Sequence, residues 1–375
     1  DGLRGGIVYQ DGQFDDARLA IALAQTAADH GAAIANHIQV TSLPKLNGRI
    51  TGAIVRDTES GAVTEIRSRV VVNATGVFSD DLRRLDDQTA VPMLAPSQGA
   101  HIVVDGSFLP GRHALIVPRT SDGRVFFAIP WHGRTLIGTT DTEISTTTLE
   151  PRPLGAEIEF LLEHAAECLE KKPTTSDILS TFAGLRPLVK GSGKSTAHLS
   201  RSHEVVVSPS GLVSIIGGKW TTVRQMAEDT TDRAARVGGL PAHPSRTKEL
   251  RLHGWREKIS GEFSHYGSDA EDVAALCKND GDRFLDPRLR YRAGEVRWAA
   301  RREMARSVAD VLSRRSRALL LDARAAIDAA GAVATILAEE LGRDEAWQRQ
   351  QVEHFCRLAK SYLFHDDDGA SRSQP

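Results

Sequence analysis

The sequence predicts an α+β chain: an incomplete α/β portion, then an antiparallel-sheet portion, then a separate all-helical C-terminal domain. Three observations carry this. Residues 16–30, DARLAIALAQTAADH, set Leu19, Leu23 and Ala27 at helical spacing ahead of strand-like runs. Between 99 and 150 the runs HIVV, ALIVP, VFFAIPW and TLIGTTD are short, apolar and separated by turn residues, as in an antiparallel sheet. Beyond 250 strand signals fade, and Val296, Ala300, Met304, Val308 and Val311 recur every three or four residues.

The elements follow in order. After the first helix, GAAIANHIQVTSL reads as strand and turn, and RITGAIVRD and VTEIRSRVVV as further strands. The last of these enters a sheet core at Val70–Val72 and breaks abruptly into NATG, so a loop opens at Asn73–Gly76, where open α/β sheets place ligands. Residues 155–170 read as helix, and EVVVSPSGLVSIIGGK as a hairpin. A helix over 222–237 is expected, with Thr222 and Gln225 as a capping box. GGLPAHPSRTKEL reads as a linker, and one long amphipathic helix is expected over 294–313. The domains are then 1–90, 91–210, a returning strand–Gly–Gly–helix at 211–240, a helical domain at 250–365 and a disordered tail at 366–375.

A formal net charge of -2 argues against nucleic acid as the main partner. Cys168, Cys277 and Cys356 lie far apart, in no CxxC pattern, and fit a reducing compartment. No His, Cys and Asp cluster has metal-ligand spacing, so no metal is expected. GSGKST at 191–196 imitates a nucleotide-binding loop, but Leu188 stands where the motif needs glycine.

Several residues could do chemistry. Arg186 in AGLRPL carries a permanent planar cation suited to phosphate or carboxylate; a structural arginine is the alternative. Arg201 has the same kind of claim. Lys219 follows Gly217 and Gly218 and precedes Thr221 and Thr222 at a helix start, where an anion or an electron-rich carbonyl is welcome; a plain glycine turn is the alternative. His101 could serve as base or donor near neutral pH, or be structural; His132 is weaker. Asp141 could hold an arginine or cap a turn.

QFDDARLAIALAQTAADHGA, VVNATGVFSD, QGAHIVV, VFFAIPW, LIGTTD, AGLRPL and GGKWTTVRQMAED occur in the order seen in FAD-dependent, quinone-linked glycerol-3-phosphate dehydrogenases, which this chain resembles over nearly its whole length. EVRWAARREMARSVADVLSRRSRALLLDARAA resembles that family's C-terminal domain. The resemblance implies oxidation of sn-glycerol 3-phosphate to dihydroxyacetone phosphate by hydride transfer to FAD, with a membrane quinone as final acceptor. It implies a cytoplasmic protein with peripheral membrane contact, and leaves a homodimer open. It assigns His101, Arg186, Arg201 and Lys219 to the catalytic site. It assigns Asn73, Ala74, Thr75, Gly76, Gly217, Gly218, Lys219, Thr221 and Thr222 to the cofactor.

The family's opening strand with its GxGxxG loop does not occur in this sequence, whose first residue is Asp. The expectation is therefore an N-terminally truncated member that binds FAD poorly on its own. Gln98 also stands near where the family often carries a basic residue. Two alternatives remain: another FAD-dependent amine or hydroxy-acid oxidase, and a non-catalytic phosphate-ester-binding remnant.

Overall fold

The computed structural model describes residues 5–118, 120, 123–190 and 203–364. In chain order, helix α1 (Asp16–Asp29) precedes strands β1 (Ile38–Ser42), β2 (Lys45–Leu46), β3 (Arg49–Ile50), β4 (Gly52–Asp57), β5 (Val63–Arg67) and β6 (Val72–Asn73). Helix α2 (Ser79–Asp86) leads to β7 (Ser97–Asp105), β8 (Leu115–Val117), β9 (Phe126–Trp131), β10 (Arg134–Gly138) and β11 (Thr142–Glu143). Helix α3 (Gly155–Cys168), β12 (Ser180–Arg186), β13 (His203–Val207), β14 (Val213–Gly217) and α4 (Val223–Val237) follow. The remaining helices are α5 (Ala270–Asn279), α6 (Ala293–Arg302), α7 (Ala318–Leu321), α8 (Ala323–Leu341) and α9 (Glu345–Lys360).

Two units divide these elements. One takes in the described residues within 1–34, 251–317 and 329–352; the other takes in those within 35–250, 318–328 and 353–375. Residues 5–34 thus group with helical segments rather than with the α/β portion expected over 1–90. Arg18 of α1 explains the attachment: it grips Glu303 with two bonds of 2.9 and 2.7 Å.

The sheet-bearing unit is built on β7. Strands β10 and β12 pair with its two edges antiparallel, and β9 and β8 extend the β10 side. Side chains alternate across a strand. Ala100, Ile102 and Val104 therefore share one face, where they pack with Phe126, Ile137, Ile158 and Leu161 in one buried cluster. Ser97, Gly99, His101 and Val103 share the other.

A smaller sheet runs β13–β14–β6. Strands β13 and β14 form the expected hairpin, and β14 runs parallel to β6, with Ser214 beside Asn73. The strand before the NATG loop is shorter than its apolar run predicts: only Val72 and Asn73 pair, and Val72 is 42% exposed. Val71 instead packs against the Leu43, Ile50 and Leu212 cluster.

In the helical unit the single helix expected over 294–313 is broken. Helix α6 ends at Arg302, Met304 takes a φ of 57°, and Asp310–Arg315 forms a separate π-helical turn. The break accompanies the burial of Glu303, which receives Arg18 and a 3.1 Å bond from Trp298 Nε1. The arginines of this stretch are engaged: Arg297 meets Asp280, Glu339 and Glu340, Arg301 meets Glu340, and Arg317 meets Asp15 and Asp16. Among the described residues, no helix is long and apolar enough to cross a membrane.

Candidate functional site

Two loops leave the same end of a parallel strand pair. Strand β6 ends at Asn73 and β14 at Gly217, and their parallel register sends Asn73–Gly76 and Gly217–Thr222 out from the C-terminal edge. The buried Asn73 fixes the first loop: its amide donates to Ser79 O at 3.0 Å and Ser214 Oγ at 3.2 Å, and its Oδ1 accepts Thr75 Oγ1 at 2.7 Å. Gly217 and Gly218 have φ of 75° and 84°, a consecutive pair that only glycine adopts cheaply. They turn the chain so that Lys219 and Trp220 emerge at the surface ahead of α4. The capping box expected at Thr222 and Gln225 does not form. Thr222 Oγ1 turns back to Lys219 O at 3.0 Å, and a short 3-10 turn, Trp220–Thr222, precedes the helix.

The second cluster sits on β7 and β12. His101 lies opposite Phe182 of β12 and Gly138 of β10, and its ring stacks on Phe182 with centroids 5.1 Å apart. A side chain at 138 would lie 2.8 Å from His101 Nε2 and 2.9 Å from Phe127 Cζ, so glycine there makes room for the imidazole. Burial, and then the nearby Arg186 cation, push the His101 pKa down to about 4. The ring is therefore neutral at pH 7. Its Nδ1 is buried and makes no hydrogen bond with the described residues.

Arg186 ends β12 opposite Ser97, on the same face as Gly99 and His101. Its Nη2 donates to Thr139 Oγ1 at 3.1 Å and Thr140 O at 3.0 Å, and Asp141 lies 3.6 Å from Nη1. Ser97 Oγ in turn donates to Asp141. Asp141 thus holds an arginine, one of the two roles its sequence position allowed. These acceptors belong to a β-bulge. Gly138 pairs with His101 and Thr142 with Gln98, so three residues, Thr139–Asp141, oppose two, Gly99 and Ala100. Bulges re-aim side chains next to binding sites, and this one presents two oxygens to the guanidinium.

The structure thus brings His101 and Arg186 together on one face, and Asn73–Gly76 and Gly217–Thr222 at one sheet edge. His132 is exposed at the β9–β10 turn, with a φ of 47°. Arg201 and the GSGKST stretch lie outside the described residues. Sequence reasoning did not reach Glu157, Thr139 or Thr140.

Residues 1–233 match the family model described as FAD dependent oxidoreductase. The chain belongs to that family. Residues 211–348 also match the model for the C-terminal domain of alpha-glycerophosphate oxidase. Among the family's curated members, the mitochondrial glycerol-3-phosphate dehydrogenase of Arabidopsis thaliana is 40% identical over 96% of this chain and 62% of its own length. The mitochondrial glycerol-3-phosphate dehydrogenase of Homo sapiens is 36% identical over 100% of this chain and 55% of its own. The probable mitochondrial glycerol-3-phosphate dehydrogenase of Caenorhabditis elegans is 40% identical over 94% and 53%. The chain therefore spans little more than half the length of these relatives. The glycerol-3-phosphate dehydrogenase of Bacillus halodurans, solved with FAD, matches with a TM-score of 0.81 and 29% identity, covering 93% of this chain and 74% of that one.

Proposed function

We propose that this chain forms the substrate-side and C-terminal parts of an FAD-dependent glycerol-3-phosphate dehydrogenase, which oxidises sn-glycerol 3-phosphate to dihydroxyacetone phosphate and passes the electrons to a membrane quinone. The observation that carries the reading is the pair on β7 and β12: an imidazole held neutral beside an arginine already oriented by a bulge. A phosphate monoester needs a fixed cation, and a secondary alcohol losing hydride needs an acceptor for its hydroxyl proton. Arg186 orients the anionic substrate and lends positive charge where the carbonyl oxygen develops. His101, beside it on the same face, is the proposed acceptor of the hydroxyl proton.

The segments at the β6–β14 edge fit a flavin. A side chain at Gly76 would meet open space, and the Gly217–Gly218 turn lets backbone approach a ligand closely. Asn73–Gly76, Gly217, Gly218, Lys219, Thr221 and Thr222 would hold FAD there, with Lys219 supplying positive charge. When bound, FAD supplies the two-electron acceptor. Homology to dehydrogenases that act on glycerol 3-phosphate supports the substrate.

The test is anaerobic reduction of the flavin-loaded enzyme. Glycerol 3-phosphate should bleach the visible flavin band, while 2-hydroxy acids and amino acids at equal concentration should not. Bleaching by an amino or hydroxy acid alone would move the enzyme to the oxidase reading. Retained flavin with no bleaching by any of them would favour the non-catalytic binding reading.

A further inference from the structure

One buried carboxylate takes no part in the proposed chemistry. Glu157 lies in the first turn of α3, on the opposite side of the β7 sheet from His101 and Arg186, and is only 4% exposed. Its two oxygens accept four hydrogen bonds. Oε1 takes Thr140 Oγ1 at 2.7 Å and Thr142 Oγ1 at 2.6 Å. Oε2 takes Gln98 Nε2 at 2.8 Å and Leu154 N at 2.9 Å. The Leu154 bond closes half of a capping box, and the carboxylate stands where the helix dipole favours negative charge.

Two of these bonds, to Thr140 and Thr142, fall on the bulge itself or at its end. Thr140 is its middle residue, and it faces both ways. Its hydroxyl donates to Glu157 and accepts Ala100 N at 2.8 Å, next to His101, while its carbonyl receives Arg186 Nη2. One carboxylate behind the sheet is therefore linked through one threonine to both side chains in front of it.

Resting on the functional reading above, we infer that Glu157 is a positioning residue, which acts through Thr140 to set the Arg186 guanidinium and the His101 strand for the substrate anion. A hydroxyl that both donates and accepts has no rotational freedom left, so the bulge keeps one conformation. Without the carboxylate, Thr140 turns, its carbonyl swings, and Arg186 loses an acceptor.

The experiment uses the flavin-loaded enzyme with E157M, which removes the acceptor oxygens, and, separately, T140V, which keeps the shape of Thr140 but cuts the link. Arg186 is labelled with phenylglyoxal and the rate read by peptide mass spectrometry, and KM and kcat for glycerol 3-phosphate are measured in parallel. Both variants should label Arg186 several-fold faster than wild type. Both should raise KM about tenfold, the loss expected for one charge-assisted hydrogen bond. T142V keeps the Thr140 link and should leave labelling near the wild-type rate. Wild-type labelling in E157M and T140V overturns the inference, and so does a rise seen in E157M but not T140V. If E157M fails to fold, T140V decides alone. The labelling rate needs no substrate, so an enzyme that ignores glycerol 3-phosphate sinks the functional reading and leaves this test standing.

Discussion

Replacing Gly99 by alanine should separate stability from activity, because what the new methyl meets is the tip of Arg186. The added Cβ would lie 2.8 Å from Arg186 Cζ and Nη1, and nearer still to Nη2. Carbon contacts settle at about 3.5 Å or more, so the guanidinium must retreat by roughly 1 Å. Gly99 sits inside β7 in an ordinary extended conformation, so alanine brings no backbone strain and regains up to about 1 kcal/mol of chain entropy. The retreat stretches bonds of 3.1 and 3.0 Å to Thr139 and Thr140 beyond hydrogen-bonding range. Water can replace them at a side chain 31% exposed, so the net loss of stability stays near 1 kcal/mol. The site fares worse: a 1 Å misplacement of a positioning group costs on the order of a hundredfold. Gly99→Ala should therefore lower the melting temperature by no more than about 4 °C. On the proposed function it should lower kcat/KM for glycerol 3-phosphate about a hundredfold. Thermal denaturation and steady-state kinetics on one preparation decide it. Unchanged kinetics would mean that Arg186 does not touch the substrate, and an unfolded variant would refute the claim that the clash falls only on a movable tip.

On the proposed reading, with His101 as the proton acceptor, His101→Asn should lower kcat/KM by about a hundredfold or more. The folded pKa of His101, pushed down to about 4, lies below its ordinary 6.5, so the unfolded chain binds the extra proton first as pH falls. Its contribution is neutral above pH 6.5 and destabilising from there down to about 4, by at most about 3 kcal/mol, and His101→Asn should flatten that part of a stability profile. His253 behaves oppositely. Burial alone would lower its pKa, but hydrogen bonds to the carboxylates of Asp29 at 2.7 Å and Asp269 at 3.0 Å raise it. Its stabilisation is present in full below the unfolded pKa and fades as pH rises through the folded one, so the melting-temperature gap between wild type and His253→Ala should narrow from pH 6 to pH 8. Arg18→Ala would strand the Glu303 side chain, which is 0% exposed, and should cost about 3–5 kcal/mol in chemical denaturation. A loss below about 1 kcal/mol would show that Trp298 alone satisfies Glu303.

What the sequence made legible follows from the range of each interaction. Helices α1, α3 and α4 and the β13–β14 hairpin rest on local periodicity and turns, and they occur within a residue or two of where the pattern put them. The helix over 294–313 followed the same periodicity and was interrupted, because a partner far away in sequence intervened. Arg18 lies 285 residues from Glu303, and no window around 300 contains it. The capping box at Thr222 failed for a local reason instead: the glycine pair sends the chain into a tight turn before the helix starts.

The β7 cluster divides along the same line. His101 and Arg186 could be singled out because their chemistry is visible in the residue itself: a titratable ring and a fixed cation beside apolar strands. Glu157 is one glutamate among many, and its partner Gln98 stands 59 residues away. Yet one signal was present. Alternation along QGAHIVV turns Gln98 to the same face as Ala100, Ile102 and Val104, which is the buried one. A polar side chain at a core-facing strand position must find a partner inside. The family resemblance singles out Gln98 for a charge it lacks. Its amide donates to a buried carboxylate, and through Thr140 that carboxylate reaches the arginine in front of the sheet. Position 98 therefore carries a polar contact to Glu157 behind the sheet, on the face opposite His101.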